Sequence, residues 1–375
     1  MAKNEKILLA HGGGGEEMNE LIGGLIFSVF DNEILRANND SATLCVKSNS
    51  VLTNSAKQGA NREEKGASNE VKIAFSTDSF VVSPAEFSGG DIGKIAACGT
   101  INDLAMSGAA AKFLSCALIL EEGLEVEFLK KILTSLATEC AQNGVKVVCG
   151  DTKVVPRGAC DKVFINTSGI GEFWGEPLSV SRLKSGAKVL LSGDIGRHGA
   201  VILAEREGLK SALKSDCASL KAVVGALFEA GLSPLCARDA TRGGLSAVLN
   251  EWAEASGRDI LILEEEIAVQ DEVKGVCELF GFEPYELANE GTFVLCVEAA
   301  EAEKALEVLQ RFNKNARLIG EICQSQESQF LPDFTLAASP SKTPLKKRAA
   351  VILKTLYGSQ RFLEKPKGEL LPRIC

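Results

Sequence analysis

Two hydrophobic periods trade places along this chain. Val71-Lys72-Ile73-Ala74-Phe75-Ser76-Thr77-Asp78 alternates and predicts a strand that ends on an acid. A helix is expected from about Gly93 to Ser107, a strand from Phe113 to Leu120, and an amphipathic helix from Glu127 to Asn143 that Gly144 stops. Val145 to Cys149 reads as a short buried strand and Val163 to Gly171 as another. Further on, the pattern gives strands at Lys188 to Gly193, Thr292 to Val297, Ala316 to Ile322 and Ala349 to Leu356. Helices are expected near Gly199–Glu207, Ser219–Ala230, Gly243–Ser256 and Ala302–Phe312. Ahead of all this come a short strand-like run, Ile7 to Ala10, the loop His11-Gly12-Gly13-Gly14-Gly15, and a helix from about Glu16 to Phe30 with Met18, Leu21, Ile22, Leu25 and Ile26 at helical spacing.

This strand–helix rhythm predicts a mixed α/β layered fold. The expected organisation is an N-terminal segment 1–46, a polar loop 47–70, one α/β domain over 71–180, a second over 181–356, and a flexible tail 357–375. The domain boundary falls near 173–187, and a second polar excursion covers 324–348. A chain of 375 residues has room for two such domains.

Composition narrows the function. A net charge of -9 and the lack of a basic stripe argue against a nucleic-acid surface. No apolar run reaches the roughly 18 residues of a membrane span, and the first residues lack a signal-peptide core, so a cytoplasmic protein is expected. Its 12 cysteines include no Cys-x-x-Cys pair, and most read as small buried hydrophobes. With only His11 and His198, a His-rich metal site is not expected. His11, in the glycine loop, reads equally as a surface or capping residue or as a group that approaches the tail or a bound ligand.

Acids stand at expected strand ends and helix starts: Asp40, Asp78, Asp91, Asp103 and Asp151. Any one alone is best read as a turn former or N-cap. Their settings shift that balance: Gly89-Gly90-Asp91-Ile92-Gly93-Lys94, Gly99-Thr100-Ile101-Asn102-Asp103 and Gly150-Asp151-Thr152-Lys153 join glycines, amides and acids. Glycines let backbone approach a phosphate, helix starts favour anions, and Mg²⁺ binds through few carboxylates plus substrate phosphates. The combination points to a nucleoside triphosphate held with metal ions. It is neither a P-loop nor a Rossmann fingerprint, because both spacings fail. In the second half, Arg238-Asp239-Ala240-Thr241-Arg242-Gly243-Gly244 offers an anion cradle or a plain helix entry. Glu290, in Ala288-Asn289-Glu290-Gly291, is a general-base candidate or a turn residue. The last residue, Cys375, follows Leu371-Pro372-Arg373-Ile374 on a segment with no evident reason to be buried.

Taken in order, FSTDSFVVSPAEFSGGDIGKIAACGTINDLAMSGA (75–109), GDTKVVPRGACDKVFINTSGIGE (150–172), RDATRGGLSAVLNE (238–251), ANEG (288–291) and LPRIC (371–375) resemble the HypE family. These are hydrogenase maturation proteins related to aminoimidazole ribonucleotide (AIR) synthetase, or PurM, and to selenophosphate synthetase. The resemblance spans nearly the whole chain. It departs at Asn39-Asp40, where the family more often shows two acids, and in the two excursions, which are longer here.

The resemblance implies a two-domain, PurM-like fold and a homodimer formed through the N-terminal domains. The implied activity is an ATP-dependent carbamoyl dehydratase. The thiol of Cys375 receives a carbamoyl group from the carbamoyltransferase HypF, and dehydration makes it a thiocyanate. The cyano group then passes to iron on a HypC–HypD complex and becomes a cyanide ligand of a [NiFe]-hydrogenase. On this reading Asp78, Asn102, Asp103 and Asp151 surround Mg²⁺ and ATP, with Asp40, Asp91, Lys94, Gly243 and Gly244 assisting. The metal ligands are Asp40, Asp78, Asp103 and Asp151. Lys153 stabilises the transferred phosphoryl group, and Glu290 is the base. A synthetase of the same superfamily, or a non-catalytic cysteine carrier, are the alternatives. A terminal thiol has no use in the first, and the nucleotide motifs would be idle in the second.

Overall fold

The computed structural model describes residues 7–13, 15–30, 32–36, 39–47, 70–324, 349–367, 371 and 373–375. Of the polar excursions, residues 48–69 and 325–348 lie outside the described residues, as do Gly14 and Pro372.

The expected strand at Ile7 to Ala10 is instead a 3-10 turn, Leu9–Gly12. Ile7, Leu8 and Leu9 remain exposed, so no burial rewards an extended conformation there. The expected Glu16–Phe30 helix is interrupted. It runs as α1 (Glu16–Leu21), widens into a π turn (Ile22–Ile26) and closes as α2 (Phe27–Val29). Gly23 and Gly24 sit inside that turn, where their weak helix preference eases the departure from regular geometry. A short α3 (Glu33–Arg36) leads into β1 (Ala42–Lys47), which the periodicity did not suggest.

The first sheet uses β1, β2 (Glu70–Phe80), β5 (Ala109–Glu121), β6 (Lys146–Val155) and β7 (Val163–Phe173). A two-stranded ribbon of β3 (Glu86–Phe87) and β4 (Gly90–Asp91) precedes α4 (Ile92–Met106), and α5 (Val126–Gln142) links β5 to β6. The strand order is β1-β2-β7-β5-β6. Every pair is antiparallel except β5 with β6. Ala74, Ser76 and Phe80 of β2 turn inward while Phe75 and Thr77 face out, so the alternation in the sequence marks the two faces of the sheet.

β6 corrects the expectation of a short buried strand at Val145 to Cys149. It is longer, forms the sheet edge, and leaves Val147, Val148 and Val154 exposed. Apolar composition marks a strand without saying whether its cover comes from the same chain.

The second sheet has seven strands. In chain order the second half runs β8 (Lys188–Leu191), α6 (Arg197–Arg206), α7 (Lys221–Glu229), β9 (Cys236–Asp239), α8 (Gly244–Ser256), β10 (Ile260–Leu263) and α9 (Asp271–Phe280). β11 (Phe293–Val297), α10 (Ala302–Phe312), β12 (Arg317–Ile322), β13 (Val351–Lys354) and β14 (Gln360–Phe362) complete it. Strand order is β14-β13-β10-β12-β8-β11-β9.

Helix α4 joins the two halves. It is apolar all round and buried along nearly its whole length. One side packs on β2, β5 and β7, and the other reaches α7 and β9 of the second half. Ile95, Ile101, Leu104 and Met106 are fully buried, each contributing about 1.5–3 kcal/mol. Asp103, near the end of this helix, is therefore delivered to the cleft between the two sheets.

Candidate active site

The cleft gathers carboxylates from both halves. Asp78 lies near the end of β2, Asp103 on α4, Asp40 just ahead of β1 and Asp239 at the end of β9. Ser76 donates its hydroxyl to Asp103 Oδ2 at 2.7 Å. Asp78 Oδ1 accepts the Ser79 N–H at 2.7 Å. Arg238 Nε stands 3.1 Å from Asp40 Oδ1, with Nη1 3.4 Å from Glu251 Oε2.

Burial raises the pKa of every member of the group. Asp103 is pushed well above the usual carboxylate range by desolvation, then by the charges of Asp239, Asp78 and Asp40. Asp239 is pushed up to about 7 by burial and then by Asp40, with Arg238 opposing. Asp40 and Asp78 are raised by burial, against the pull of Arg238 and Arg242 respectively.

Across the cleft, Glu290 is only 2% exposed and its Oε1 has no hydrogen-bond partner. Burial, followed by the charges of Asp239, Asp216 and Asp78, raises its carboxyl far above the ordinary range, and Arg242 opposes them. Arg242 itself is held charged first by Cys375 and then by Asp78 and Glu290, after its own desolvation cost. These interactions place the Cys375 thiol among Arg242, Glu290, Asp78 and Asp239, and burial raises its pKa strongly.

The tail end is not loose, as the sequence suggested. Cys375 is 8% exposed and Ile374 is buried beside it. Residues 373–375 lie along the stretch after β2: Val81 N–H donates to a terminal carboxylate oxygen of Cys375 at 2.9 Å, and Ser83 N–H to the Arg373 carbonyl at 3.1 Å. Arg373 Nε donates back to the Val81 carbonyl at 2.9 Å, and its Nη2 meets Asp161 at 2.9 Å. Arg206, on α6, bridges the carbonyls of Ser83 and Arg373, both at 2.7 Å. Further back, Ser246 and Asn250 of α8 donate to the Glu364 and Leu363 carbonyls.

Other expected site residues have local partners. Asp91 caps α4 by accepting the Lys94 N–H at 2.9 Å. Lys94 points to the Gly89 carbonyl and toward Glu139. Asn102 spends its amide on the Ala218 carbonyl and the Leu220 N–H, fastening α4 to the second half. Asp151 and Lys153 form an exposed ion pair on β6, three strands from β2, or about 14 Å by strand spacing. Within one chain they therefore stand apart from the buried acids. His11 bonds the backbone of Leu8 and reads as a local cap. Gly243 and Gly244 open α8 with φ of 77° and 60°, the left-handed conformation that glycine takes without strain. A Cβ on Gly244 would lie 2.5 Å from the Tyr285 carbonyl oxygen.

Asp239, Arg238 and Arg242 were visible as part of an anion cradle or plain helix entry, without roles of their own. The available signal was three charges within five residues at a strand's carboxyl end, where α/β folds place ligands.

Among the described residues, no three Asp, Glu, His or Cys side chains converge closely enough to hold an ion unaided. The donor chemistry nevertheless fits Mg²⁺: the carboxylates of Asp40, Asp78, Asp103 and Asp239 repel one another, and a hard cation with phosphate oxygens in its shell relieves that repulsion.

Fold and cleft define a two-domain α/β protein of the AIR synthase type. Residues 63–173 match the family described as AIR synthase related protein, N-terminal domain, and residues 184–331 match its C-terminal domain. Carbamoyl dehydratase HypE of Escherichia coli K12 is 42% identical over 98% of this chain and 99% of that protein. A HypE solved in complex with ATP superposes with a TM-score of 0.73 at 39% identity, covering 99% of this chain and all of the other. A HypE–HypF complex gives 0.76 at 38%, over 92% and 99%. The chain belongs to the HypE family of carbamoyl dehydratases.

Proposed function

We propose that this enzyme dehydrates a carbamoyl group on the sulfur of its own Cys375, using ATP. The observation that carries this reading is the seating of the tail: Cys375 is buried, and its terminal backbone is bonded to Val81, three residues past Asp78. A soluble substrate would leave no reason for the chain to thread its own cysteine there.

The chemistry follows from the residues. A thiocarbamate oxygen is a poor leaving group. Its attack on the γ-phosphorus expels ADP and, with one N–H proton lost to solvent, gives an imidate-type phosphate ester. Glu290, buried and without a hydrogen-bond partner on Oε1, accepts the remaining N–H proton as phosphate departs, leaving S–C≡N. Burial makes this carboxylate a stronger base than an exposed glutamate. Arg242 offsets negative charge beside the sulfur. Asp40, Asp78 and Asp103 would hold Mg²⁺, which would supply positive charge against the phosphates.

The partners follow the same reading. HypF loads the thiol, and a HypC–HypD complex receives the cyano group for a [NiFe]-hydrogenase centre. A second copy covers the open face of the first sheet, where Phe75, Ile170 and Phe113 form one exposed apolar row across three strands. Asp151 and Lys153, on the edge strand of that sheet, serve the phosphates from there. No described helix is long and apolar enough to cross a membrane, in keeping with work in the cytoplasm. The test is Cys375→Ala: nucleotide binding stays, and the ATP turnover that carbamoylation elicits disappears. Turnover that persists in the variant with HypF and carbamoyl phosphate rules the reading out.

A further inference from the structure

We infer that His198 is a positioning residue, which with Ser215 and Asp216 fixes the Cys375 thiol against Glu290. His198, on α6, is completely buried. Its Nε2 lies 2.7 Å from the Ile374 carbonyl oxygen, one residue before Cys375. A carbonyl only accepts, so Nε2 carries a proton, and in the neutral ring Nδ1 is then the acceptor. Ser215 Oγ, 2.8 Å from Nδ1, donates its hydroxyl to it and in turn accepts the Cys217 N–H at 3.0 Å. Each group in the chain has one consistent role, and the imidazole is neutral. Burial, with Phe87 edge-on at 5.2 Å, favours that state and outweighs the hydrogen bond to the Ile374 carbonyl and the charge of Asp216, which pull the other way, and Arg206 adds to it.

The next residue grips the other reactant. Asp216 Oδ1 accepts the Glu290 N–H at 3.1 Å and Oδ2 the Gly291 N–H at 3.0 Å. Ala218 N–H donates to the Glu290 carbonyl at 3.2 Å. The loop is seated so closely that a Cβ on Gly291 would lie 1.9 Å from the Asp216 carbonyl oxygen. Residues 215–218 therefore hold the Glu290 backbone directly and the tail through one imidazole. Arg373, held at a φ of 53° that non-glycine residues rarely adopt, turns the chain just before this contact.

The chemical role of the two positioned groups rests on the proposed dehydration, but the positioning itself has a readout that needs no catalysis. In nucleotide-free protein, N-ethylmaleimide labels cysteines at rates set by access, and the C-terminal peptide is quantified by mass spectrometry. Cys45 is exposed and lies off the open face of the first sheet, so it serves as the internal reference. Cys375 of the unaltered protein labels more slowly than Cys45. His198→Leu keeps the bulk and removes the donor, so Cys375 labels about tenfold faster, the size of one lost buried hydrogen bond. His198→Gln, which retains an N–H, restores protection. If the Leu variant does not fold, Ser215→Ala gives the same direction through the lost donor to Nδ1. Equal labelling of Cys375 and Cys45 in the unaltered protein overturns the inference, as does equal acceleration by Leu and Gln. Because no turnover is measured, a failure here is separate from a failure of the dehydratase reading.

Discussion

Arg238 Nε stands 3.1 Å from Asp40 Oδ1, and this contact ties the segment ahead of the first sheet to the edge of the second. The same guanidinium reaches Glu251 on α8. It is held between two acids with Asp239 next to it in sequence, and their charges keep it protonated. Arg238→Gln leaves Asp40 and Glu251 half-buried without a counter-charge, so stability falls by about 2 kcal/mol. Urea unfolding checks this; an unchanged midpoint would mean that the pair is ornamental.

Asp239 carries a second consequence. Its native pKa of about 7, against an ordinary 3.8, means that the folded state binds its proton more tightly than the unfolded chain. The destabilisation is absent below pH 4, grows between pH 4 and 7, and is complete above 7. Asp239→Asn therefore raises the melting temperature of the ligand-free protein at pH 8 and leaves it nearly unchanged at pH 4. Thermal unfolding at both values decides; an equal shift at both contradicts the assignment.

The cation is what lets this cluster ionise together. Asp103→Asn removes the carboxylate most strongly opposed by its neighbours, so Mg²⁺-dependent ATP binding weakens by about tenfold or more. Calorimetric titration of ATP with and without Mg²⁺ measures it. Glu290→Gln, by contrast, binds nucleotide normally and forms no thiocyanate.

Glu290 is faced by Asp239, Asp216, Asp78 and Arg242, and by the thiols of Cys217 and Cys375. Asp216→Asn removes one negative neighbour and so lowers the Glu290 pKa. The acid limb of the pH–rate profile for dehydration moves to lower pH. A limb that stays in place removes Glu290 from the titrating step.

The open face of the first sheet predicts a dimer. Phe113 sits opposite Ile170, which sits opposite Phe75. Phe113→Glu puts a charge in the centre of this row, and light scattering then reports a monomer where the unaltered chain is dimeric.

The sequence showed more of the scaffold than of the cleft. The alternation in β2 and the helical period of α10 follow from local burial on one face, so they are legible in a single stretch. The exposure of β6 and the docking of 373–375 against 81–83 depend on partners far away in the chain or on another chain. Glu290 was legible as a motif. Its orphaned Oε1 and the clamp from Asp216 were not, because residue 216 precedes it by a long stretch in which no charge pattern marks the contact. Asp239 needed Asp40 and Asp78 beside it before its charge acquired meaning.

The central claim is tested most directly by the mass of the C-terminal peptide after incubation with HypF, carbamoyl phosphate, Mg²⁺ and ATP. The account predicts a carbamoyl adduct on Cys375 that loses the mass of one water when ATP is present and keeps it when ATP is withheld. An adduct whose mass stays constant while ATP is consumed, or one carried by a different cysteine, would contradict it.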